Sequence, residues 1–132
     1  MAHITAQIGK QLYKTEIRTA TNLLISDEPV SAGGEDLGFS PEELLAASLG
    51  ACTSATLRMY ADRKGWTELG EIKVDVDFKR DVQANISYIT RTITLEGELS
   101  EDQRSRLLTI AGKCPMHLTL MHPIEITTTL QA

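Results

Sequence analysis

The chain has 132 residues and a formal net charge of −5, from 13 basic and 18 acidic residues. This size predicts a single domain over residues 1–132, and 42% hydrophobic with 23% charged residues is typical of a globular protein. No basic cluster stands out, which argues against a nucleic-acid partner. Two cysteines, Cys52 and Cys114, are too few for a disulfide-rich secreted scaffold, so their role has to come from their surroundings.

The sequence predicts neither export nor membrane insertion. Residues 1–5 lack the basic stretch and apolar run of a signal peptide. The longest stretch without a charge, residues 44–57, is shorter than the roughly 20 residues needed to cross a bilayer. We expect a cytoplasmic protein with no membrane partner, in a compartment that keeps thiols reduced unless they are catalytic or redox-sensing.

Short alternating segments in the first third of the chain predict strands. Residues 4–8 alternate between apolar and polar types, and residues 12–17 do so less cleanly. Residues 23–25 form a third candidate strand, which the sequence Asp27-Glu28-Pro29 ends. Three short strands and a loop are therefore expected before the first helix.

A long helix is predicted from Pro41 to about Lys64. Ser40 can cap it, Pro41 suits the first helical position, and Glu43 can complete a capping box. Residues 44–52 are apolar or small on every side, which is typical of a helix that is buried all round. A domain this small has difficulty surrounding a helix about 34 Å long, so a partner subunit could supply the missing cover.

Two alternating segments, residues 72–79 and 86–95, follow the helix and predict a hairpin. Arg91 lies on the more apolar side of the second segment, together with Ile89, Ile93 and Leu95. An arginine in such a position is either a rim residue whose charge reaches solvent or a residue directed at a site.

The end of the chain predicts two helices and a strand. Ser100 and Gln103 form a second capping box, and Pro115 opens a short helix directly after Cys114. Alternation over residues 124–130 predicts a closing strand. Hairpins dominate and no βαβ run is evident, so the expected fold class is α+β with a mainly antiparallel sheet.

The two cysteines lie in different settings. Cys52 is inside the small-residue helix, where an inert buried thiol is the default interpretation. Cys114 is beside a helix start, which favours the thiolate, although a cap or core role is the alternative. Sequence alone does not show whether they can pair, and with His117 and His122 they also form a possible Cys₂His₂ metal set of non-standard spacing.

Other candidates are charged or titratable. His117 is either an ordinary helix residue or a neighbour that tunes Cys114. Glu42 suits a helix N-terminus and can meet Cys52 only through a shared pocket or ligand. Arg18 is either a solvated surface charge or a cation that stabilises a thiolate and holds a peroxide oxygen.

Residues 40–53, SPEELLAASLGACT, followed by the distant Cys114-Pro115, resemble the OsmC/Ohr family of osmotically inducible and organic hydroperoxide resistance proteins. Residues 27–36 and 60–66 look more like its YhfA-type branch. The resemblance covers nearly the whole chain, and it is specific because the helix and the distant Cys-Pro occur together.

The resemblance implies an OsmC-like α+β fold in an intertwined homodimer, with sheets wrapped around long buried central helices. It implies a cysteine-based peroxidase for alkyl or lipid hydroperoxides, without a metal or haem cofactor. Carried over, Cys52 is the peroxidatic cysteine, Cys114 is the resolving cysteine and Glu42 takes part in orienting the site. A dithiol such as dihydrolipoamide is the implied reductant.

One departure from the family concerns the arginine that its members supply from the N-terminal strands. That local motif is not reproduced, and residues 19–57 contain no arginine or lysine. A thiolate in an apolar helix needs a cation, so Arg18 is the nearest candidate and Arg91 its rival. A non-enzymatic redox-sensing or small apolar ligand-binding module of the same fold is the alternative function.

Overall fold

The computed structural model describes residues 1–131 as an α+β chain with antiparallel strands, which confirms the predicted fold class. This part contains five strands, three α-helices and a short 3₁₀ helix at Val30–Ala32. The strands are β1 Thr5–Ile8, β2 Thr15–Arg18, β3 Leu23–Ser26, β4 Ile72–Asp81 and β5 Ile86–Leu95. The helices are α1 Pro41–Lys64, α2 Glu101–Ala111 and α3 Pro115–Leu120.

The chain divides into two compact units, Met1–Ala47 and the part from Ser48 onward. Helix α1 begins in the first unit and ends in the second. None of the helices within residues 1–131 is both long and apolar enough to cross a bilayer. The single domain expected from chain length stays a prediction.

The first unit contains an antiparallel sheet in the order β1-β2-β3. Its three strands match the three predicted ones in number and order. The second strand begins at Thr15 instead of residue 12, because the backbone N–H of Tyr13 donates to the carboxylate of Asp27 at 3.2 Å.

Asp27 organises the loop that follows β3. Its buried carboxylate accepts hydrogen bonds from four backbone N–H groups, those of Tyr13, Glu28, Glu35 and Leu37. Gly34 allows the loop to close, since a Cβ atom there would lie 2.1 Å from the carbonyl oxygen of Glu28. Burial raises the pKa of the Asp27 carboxyl, but the four N–H donors outweigh burial and hold its pKa below the ordinary value.

Helix α1 begins and ends as predicted. The N–H of Ser40 donates to Glu43 Oε1 at 2.8 Å, the N–H of Glu43 donates to Ser40 Oγ at 3.2 Å, and Gly65 follows the last turn with φ 70°. Burial follows one stripe of the helix only, formed by Leu49, Thr53, Leu57, Tyr60 and Ala61.

The opposite face of α1, with Ala51, Ala55 and Met59, is exposed. Within a single chain the helix is therefore not buried on every side, because the buried residues of its second-unit part all lie along one stripe. The small residues at this face would allow another backbone to approach closely.

The core of the second unit is formed by α1, the β4–β5 hairpin and α2. Its buried residues are Leu57, Tyr60, Ala61, Leu69, Leu107, Ile110 and Ala111. Strands β4 and β5 pair from Ile72 with Leu95 to Asp81 with Ile86. On β5 the side that contains Ile89, Ile93 and Leu95 is half-buried, and this alternation turns Arg91 inward with them.

Residues 124–131 do not form the predicted closing strand. Ile124, Ile126 and Leu130 are 60%, 85% and 99% exposed. Alternation makes a strand only where a neighbouring strand offers free N–H and C=O groups, and no strand in the described part of the chain pairs with this segment. The prediction is wrong for the single chain.

We expect the stability of the first unit to depend on the ionised Asp27 carboxylate. Because its pKa is lower in the folded chain than the ordinary value of 3.8, this contribution is complete above about pH 4 and is lost as the pH falls through the folded pKa. Urea unfolding followed at decreasing pH should show a steeper acid loss of stability for the wild-type chain than for Asp27→Asn.

At neutral pH the Asp27→Asn variant should already unfold at lower urea, because the amide replaces a charged acceptor of four N–H groups. The matched control is Asp75→Asn, which removes an exposed carboxylate 3.7 Å from Lys73 and should behave like the wild type. Equal stability of Asp27→Asn and Asp75→Asn at neutral pH would contradict this prediction.

Candidate active site: two cysteines, a threonine and an arginine

Cys52 and Cys114 lie side by side in the second unit, and both are free thiols. Cys52 is half-buried in the middle of α1, and Cys114 is fully buried as the N-cap residue of α3. The Cys52 thiol is among the groups that lower the pKa of Cys114, and Thr53, the next residue of α1, has its Oγ1 3.9 Å from Cys114 Sγ. The fold therefore joins the two residues whose proximity the sequence separation could not show.

Several donors surround the sulfur of Cys114. The backbone N–H of His117 donates to its Sγ at 3.3 Å, and Thr53 Oγ1 lies 3.9 Å away. Burial raises the pKa of the Cys114 thiol, but hydrogen bonds from the His117 N–H, the Cys52 thiol, the Thr53 hydroxyl and the Met116 N–H outweigh burial and lower it. Cys114 is thus more readily ionised than an ordinary cysteine.

Thr53 follows Cys52 in α1 and is fully buried. Its hydroxyl donates to the carbonyl oxygen of Leu49 at 2.7 Å and accepts a hydrogen bond from Arg91 Nη1 at 3.0 Å. The sequence reasoning did not name Thr53 as a site residue. A polar residue on the otherwise apolar stripe of Leu49 and Leu57 was the signal that could have found it, because a buried hydroxyl needs partners.

Arg91 is directed at the site instead of at solvent. Besides Thr53, it contacts His117, with Nη2 3.1 Å from Nδ1 of the imidazole ring. A guanidinium group can only donate, so Nδ1 accepts and the imidazole proton lies on Nε2. Cys114, Thr53, Arg91 and His117 therefore form a closed ring of contacts, called here the Cys114 ring.

Arg18 and Glu42 belong to the first unit. Arg18 ends β2 and pairs with Glu16 at 2.8 Å on the exposed surface. Glu42 is exposed in the first turn of α1, where a carboxylate complements the helix dipole. The Cys114 ring is built from residues of the second unit alone.

The metal alternative finds no support in the geometry. Within residues 1–131, no group of three or more His, Cys, Asp and Glu side chains is placed to hold a metal ion. The ring of His122 is exposed, and its Nδ1 lies 2.6 Å from the carbonyl oxygen of Leu118.

A small cavity of about 120 Å³ lies against the Cys114 ring. Arg91 and His117 provide its polar lining, and the apolar lining comes from Leu49, Ile89, Leu120 and Met121. Cys52 lies three residues beyond Leu49 on α1, so the two side chains are neighbours on the helix surface. The cavity combines apolar walls with two hydrogen-bonding side chains, which suits a small apolar molecule with a polar end.

The sequence model of the OsmC-like protein family matches residues 33–129. This span is well over half of the chain and includes both cysteines, Thr53, Arg91 and His117. The chain therefore belongs to the OsmC-like protein family, as the resemblance predicted.

Solved structures from three bacteria share the fold. A protein from Psychrobacter arcticus 273-4 superposes with a TM-score of 0.78 at 24% identity over 93% of this chain and 90% of that one. An OsmC-like protein from Mycoplasma pneumoniae gives 0.77 at 21% identity, over 90% and 86%. The organic hydroperoxide resistance protein OhrB of Bacillus subtilis gives 0.62 at 24% identity, over 90% and 89%.

We expect mild oxidation of the reduced protein with diamide to close a disulfide between Cys52 and Cys114 within one chain, because the Cys52 thiol lies close enough to Cys114 to lower its pKa. Mass spectrometry of the product should show an unchanged chain mass apart from the loss of two hydrogen atoms. The Cys114→Ser variant should not lose these atoms. A product linked between two chains would contradict the prediction.

Proposed function

We propose that this protein is a cysteine-based peroxidase that reduces organic hydroperoxides and contributes to defence against oxidative stress. The observation that supports the proposal best is the adjacent pair of free thiols, one half-buried and one fully buried. Membership of the OsmC-like family and the likeness to OhrB, which is named for organic hydroperoxide resistance, support the same activity.

In this proposal Cys52 is the peroxidatic cysteine. Its side chain is only half-buried, so a hydroperoxide can reach it, whereas Cys114 has no exposed surface. The Cys52 thiolate attacks the terminal oxygen of the hydroperoxide, and the O–O bond breaks. The alkoxide leaves and takes up a proton to become the alcohol, and Cys52 is oxidised to a sulfenic acid.

Cys114 is the proposed resolving cysteine. Its thiolate attacks the sulfur of the Cys52 sulfenic acid, an S–S bond forms, and the S–O bond breaks. Hydroxide leaves and takes up a proton to become water. The lowered pKa of Cys114 supports this role, because the thiolate and not the thiol is the attacking form.

An external dithiol, such as dihydrolipoamide, is proposed to reduce the disulfide and to become a disulfide itself. The complete reaction converts one hydroperoxide and one dithiol into one alcohol, one water and one disulfide. It calls for no metal or haem cofactor. We propose a cytoplasmic location, where dithiol reductants are regenerated, and alkyl or lipid hydroperoxides as substrates, which match the apolar cavity walls.

Glu42 and Arg18 are retained as proposed site residues on the strength of the family resemblance. Glu42 would help to orient the site, and Arg18 would provide a cation for the Cys52 thiolate or the peroxide oxygen. Glu42→Gln and Arg18→Met should each slow the oxidation of Cys52 if these roles apply. Lys10→Met, a charge removal at an exposed position of the same unit, is the control.

We expect the reduced protein to consume stoichiometric cumene hydroperoxide with the loss of both free thiols, and to turn over with dihydrolipoamide. Cys52→Ser should lower the turnover by more than about a thousandfold, because the nucleophile is removed. Cys114→Ser should still be oxidised once but should not form the intrachain disulfide. Turnover that survives in Cys52→Ser would rule the mechanism out.

We further propose that the active form is a homodimer. The exposed face of α1 and the exposed, alternating residues 124–130 are apolar surfaces that a second copy of the chain could cover. Together they support the intertwined arrangement that the family resemblance implies.

Sedimentation equilibrium should give twice the chain mass of 14.5 kDa for the wild-type protein. Ala55→Arg should shift the equilibrium towards the monomer, because it places a charge on the exposed face of α1. Ala84→Arg, at an exposed position in the β4–β5 turn, is the matched control and should remain dimeric. A folded wild-type monomer at micromolar concentration would contradict the dimer.

The cavity favours one alternative, a module that binds a small apolar ligand without turnover. Its walls are apolar, and Arg91 and His117 could hold a polar end of such a ligand. The hydroperoxide assay separates the two functions, because a binding module would leave both thiols reduced in the presence of stoichiometric cumene hydroperoxide.

A further inference from the structure

The hydroxyl of Thr53 has three neighbours and one proton to donate. Arg91 Nη1 always donates, so Oγ1 accepts from it at 3.0 Å. The hydroxyl proton is directed to the carbonyl oxygen of Leu49 at 2.7 Å. The sulfur of Cys114 lies 3.9 Å from Oγ1. While the hydroxyl proton is directed at Leu49, Oγ1 can only accept a hydrogen bond from the Cys114 thiol.

A rotation of the hydroxyl proton would make Thr53 a donor to Sγ. The carbonyl oxygen of Leu49 would not lose its last partner, because the backbone N–H of Thr53 is its helical hydrogen-bond donor. A Cys114 thiolate can therefore gain a hydrogen bond without leaving a buried carbonyl unpaired. In both arrangements the buried Leu49 carbonyl and the Thr53 hydroxyl have hydrogen-bond partners. The hydroxyl proton of Thr53 therefore has two acceptable orientations.

We propose that Thr53 is a hydroxyl switch, which donates to Leu49 when Cys114 is a thiol and to Sγ when Cys114 is a thiolate, and that Arg91 biases it towards the thiolate. The hydrogen bond from Arg91 polarises the hydroxyl and makes it a stronger donor. The proposal rests on the proposed function for the resolving step and deepens it by naming the residues that prepare Cys114.

His117 contacts both Arg91 and Cys114. Its ring Nδ1 accepts from Arg91 Nη2 at 3.1 Å, which orients the guanidinium towards Thr53. Its backbone N–H donates to the sulfur of Cys114 at 3.3 Å. Arg91, Thr53 and His117 are therefore positioning residues, since they act on the reaction through Cys114.

The switch acts in the second chemical step. As the Cys114 thiolate attacks the sulfur of the Cys52 sulfenic acid, its negative charge moves to the departing hydroxide. Once the disulfide exists, Cys114 Sγ carries no charge, and the Thr53 hydroxyl can again donate its hydrogen bond to the carbonyl oxygen of Leu49. Arg91 thereby favours the attacking form of Cys114 and does not stabilise the disulfide product by the same interaction.

The first test titrates Cys114 directly and needs no hydroperoxide. In a Cys52→Ser background, the ultraviolet absorbance of the thiolate reports the ionisation of Cys114. Thr53→Val keeps the shape of the side chain but removes the hydroxyl, and it should raise the titration midpoint by about one pH unit, the effect of losing a hydrogen bond to a charged group. Thr53→Ser should restore the wild-type midpoint.

The second test asks whether Arg91 acts through Thr53. In the same background Arg91→Met should raise the titration midpoint of Cys114. This effect should be smaller when Thr53→Val is already present, because the hydrogen bond between Arg91 and the Thr53 hydroxyl is then absent. Arg80→Met is the matched control, since the guanidinium of this β4 arginine donates to Ser87 and Asn85 within the hairpin, and its loss should leave the midpoint unchanged.

The contact with His117 can be tested with a pair of variants. His117→Asn retains an acceptor for Arg91 near the position of Nδ1 and should keep the midpoint close to wild type. His117→Phe removes the acceptor and should raise it. Thr53→Val, Arg91→Met and His117→Phe variants that all fold, as judged by circular dichroism, and titrate like the wild type would overturn the switch.

A kinetic measurement connects the switch with the reaction. At a pH well below both midpoints, Thr53→Val in the otherwise native chain should slow disulfide formation about tenfold if the titration midpoint of Cys114 rises by about one pH unit, with the rate of Cys52 sulfenic acid formation unchanged. Equal slowing of both steps would overturn the assignment to Cys114. If Cys52 does not react with hydroperoxide at all, the proposed function fails, and the titrations still decide the switch.

Discussion

Arg91 carries a permanent positive charge into a half-buried position, and the arrangement of the site follows from accommodating it. A buried charge is costly unless it is hydrogen-bonded and, preferably, balanced by an opposite charge. Its two acceptors, Thr53 Oγ1 and His117 Nδ1, are both neutral. Cys114, which both acceptor residues contact, is the group that can become negative, and the lowered pKa of its thiol fits this environment.

The same packing brings together two thiols that differ in burial. A fully buried sulfur is protected from bulky oxidants, and surrounding hydrogen-bond donors can stabilise its thiolate form. A half-buried sulfur can meet a substrate but has fewer groups around it. This difference arises because Cys52 lies in the middle of α1, whereas Cys114 lies at the start of α3.

Much of the fold could be predicted from the sequence because its signals are local. The capping boxes at Ser40 and Ser100, the proline that starts α3 and the alternation of β4 and β5 each determine one element from neighbouring residues. The closing strand was wrongly predicted because alternation says nothing about a pairing partner. The single burial stripe of α1 likewise depends on what packs against the helix.

The candidate site was predictable only in part. The two cysteines were found because their surroundings resemble a family, and the position of Arg91 among apolar residues of β5 left open that it faces a site. Thr53 was missed, because its contact with Cys114 joins positions 61 residues apart and depends on how α1 packs against the start of α3. A contact between residues so far apart in the chain leaves no signal in the local sequence pattern.

The central claim is that a hydroperoxide oxidises Cys52 first and that Cys114 resolves the product. Trapping with dimedone, which reacts with sulfenic acids, tests it most directly in the Cys114→Ser variant treated with one equivalent of cumene hydroperoxide. Peptide mass spectrometry should find one dimedone adduct, on Cys52, and in the wild-type chain the intrachain disulfide should replace the adduct. An unmodified Cys52 in the Cys114→Ser variant would contradict the account.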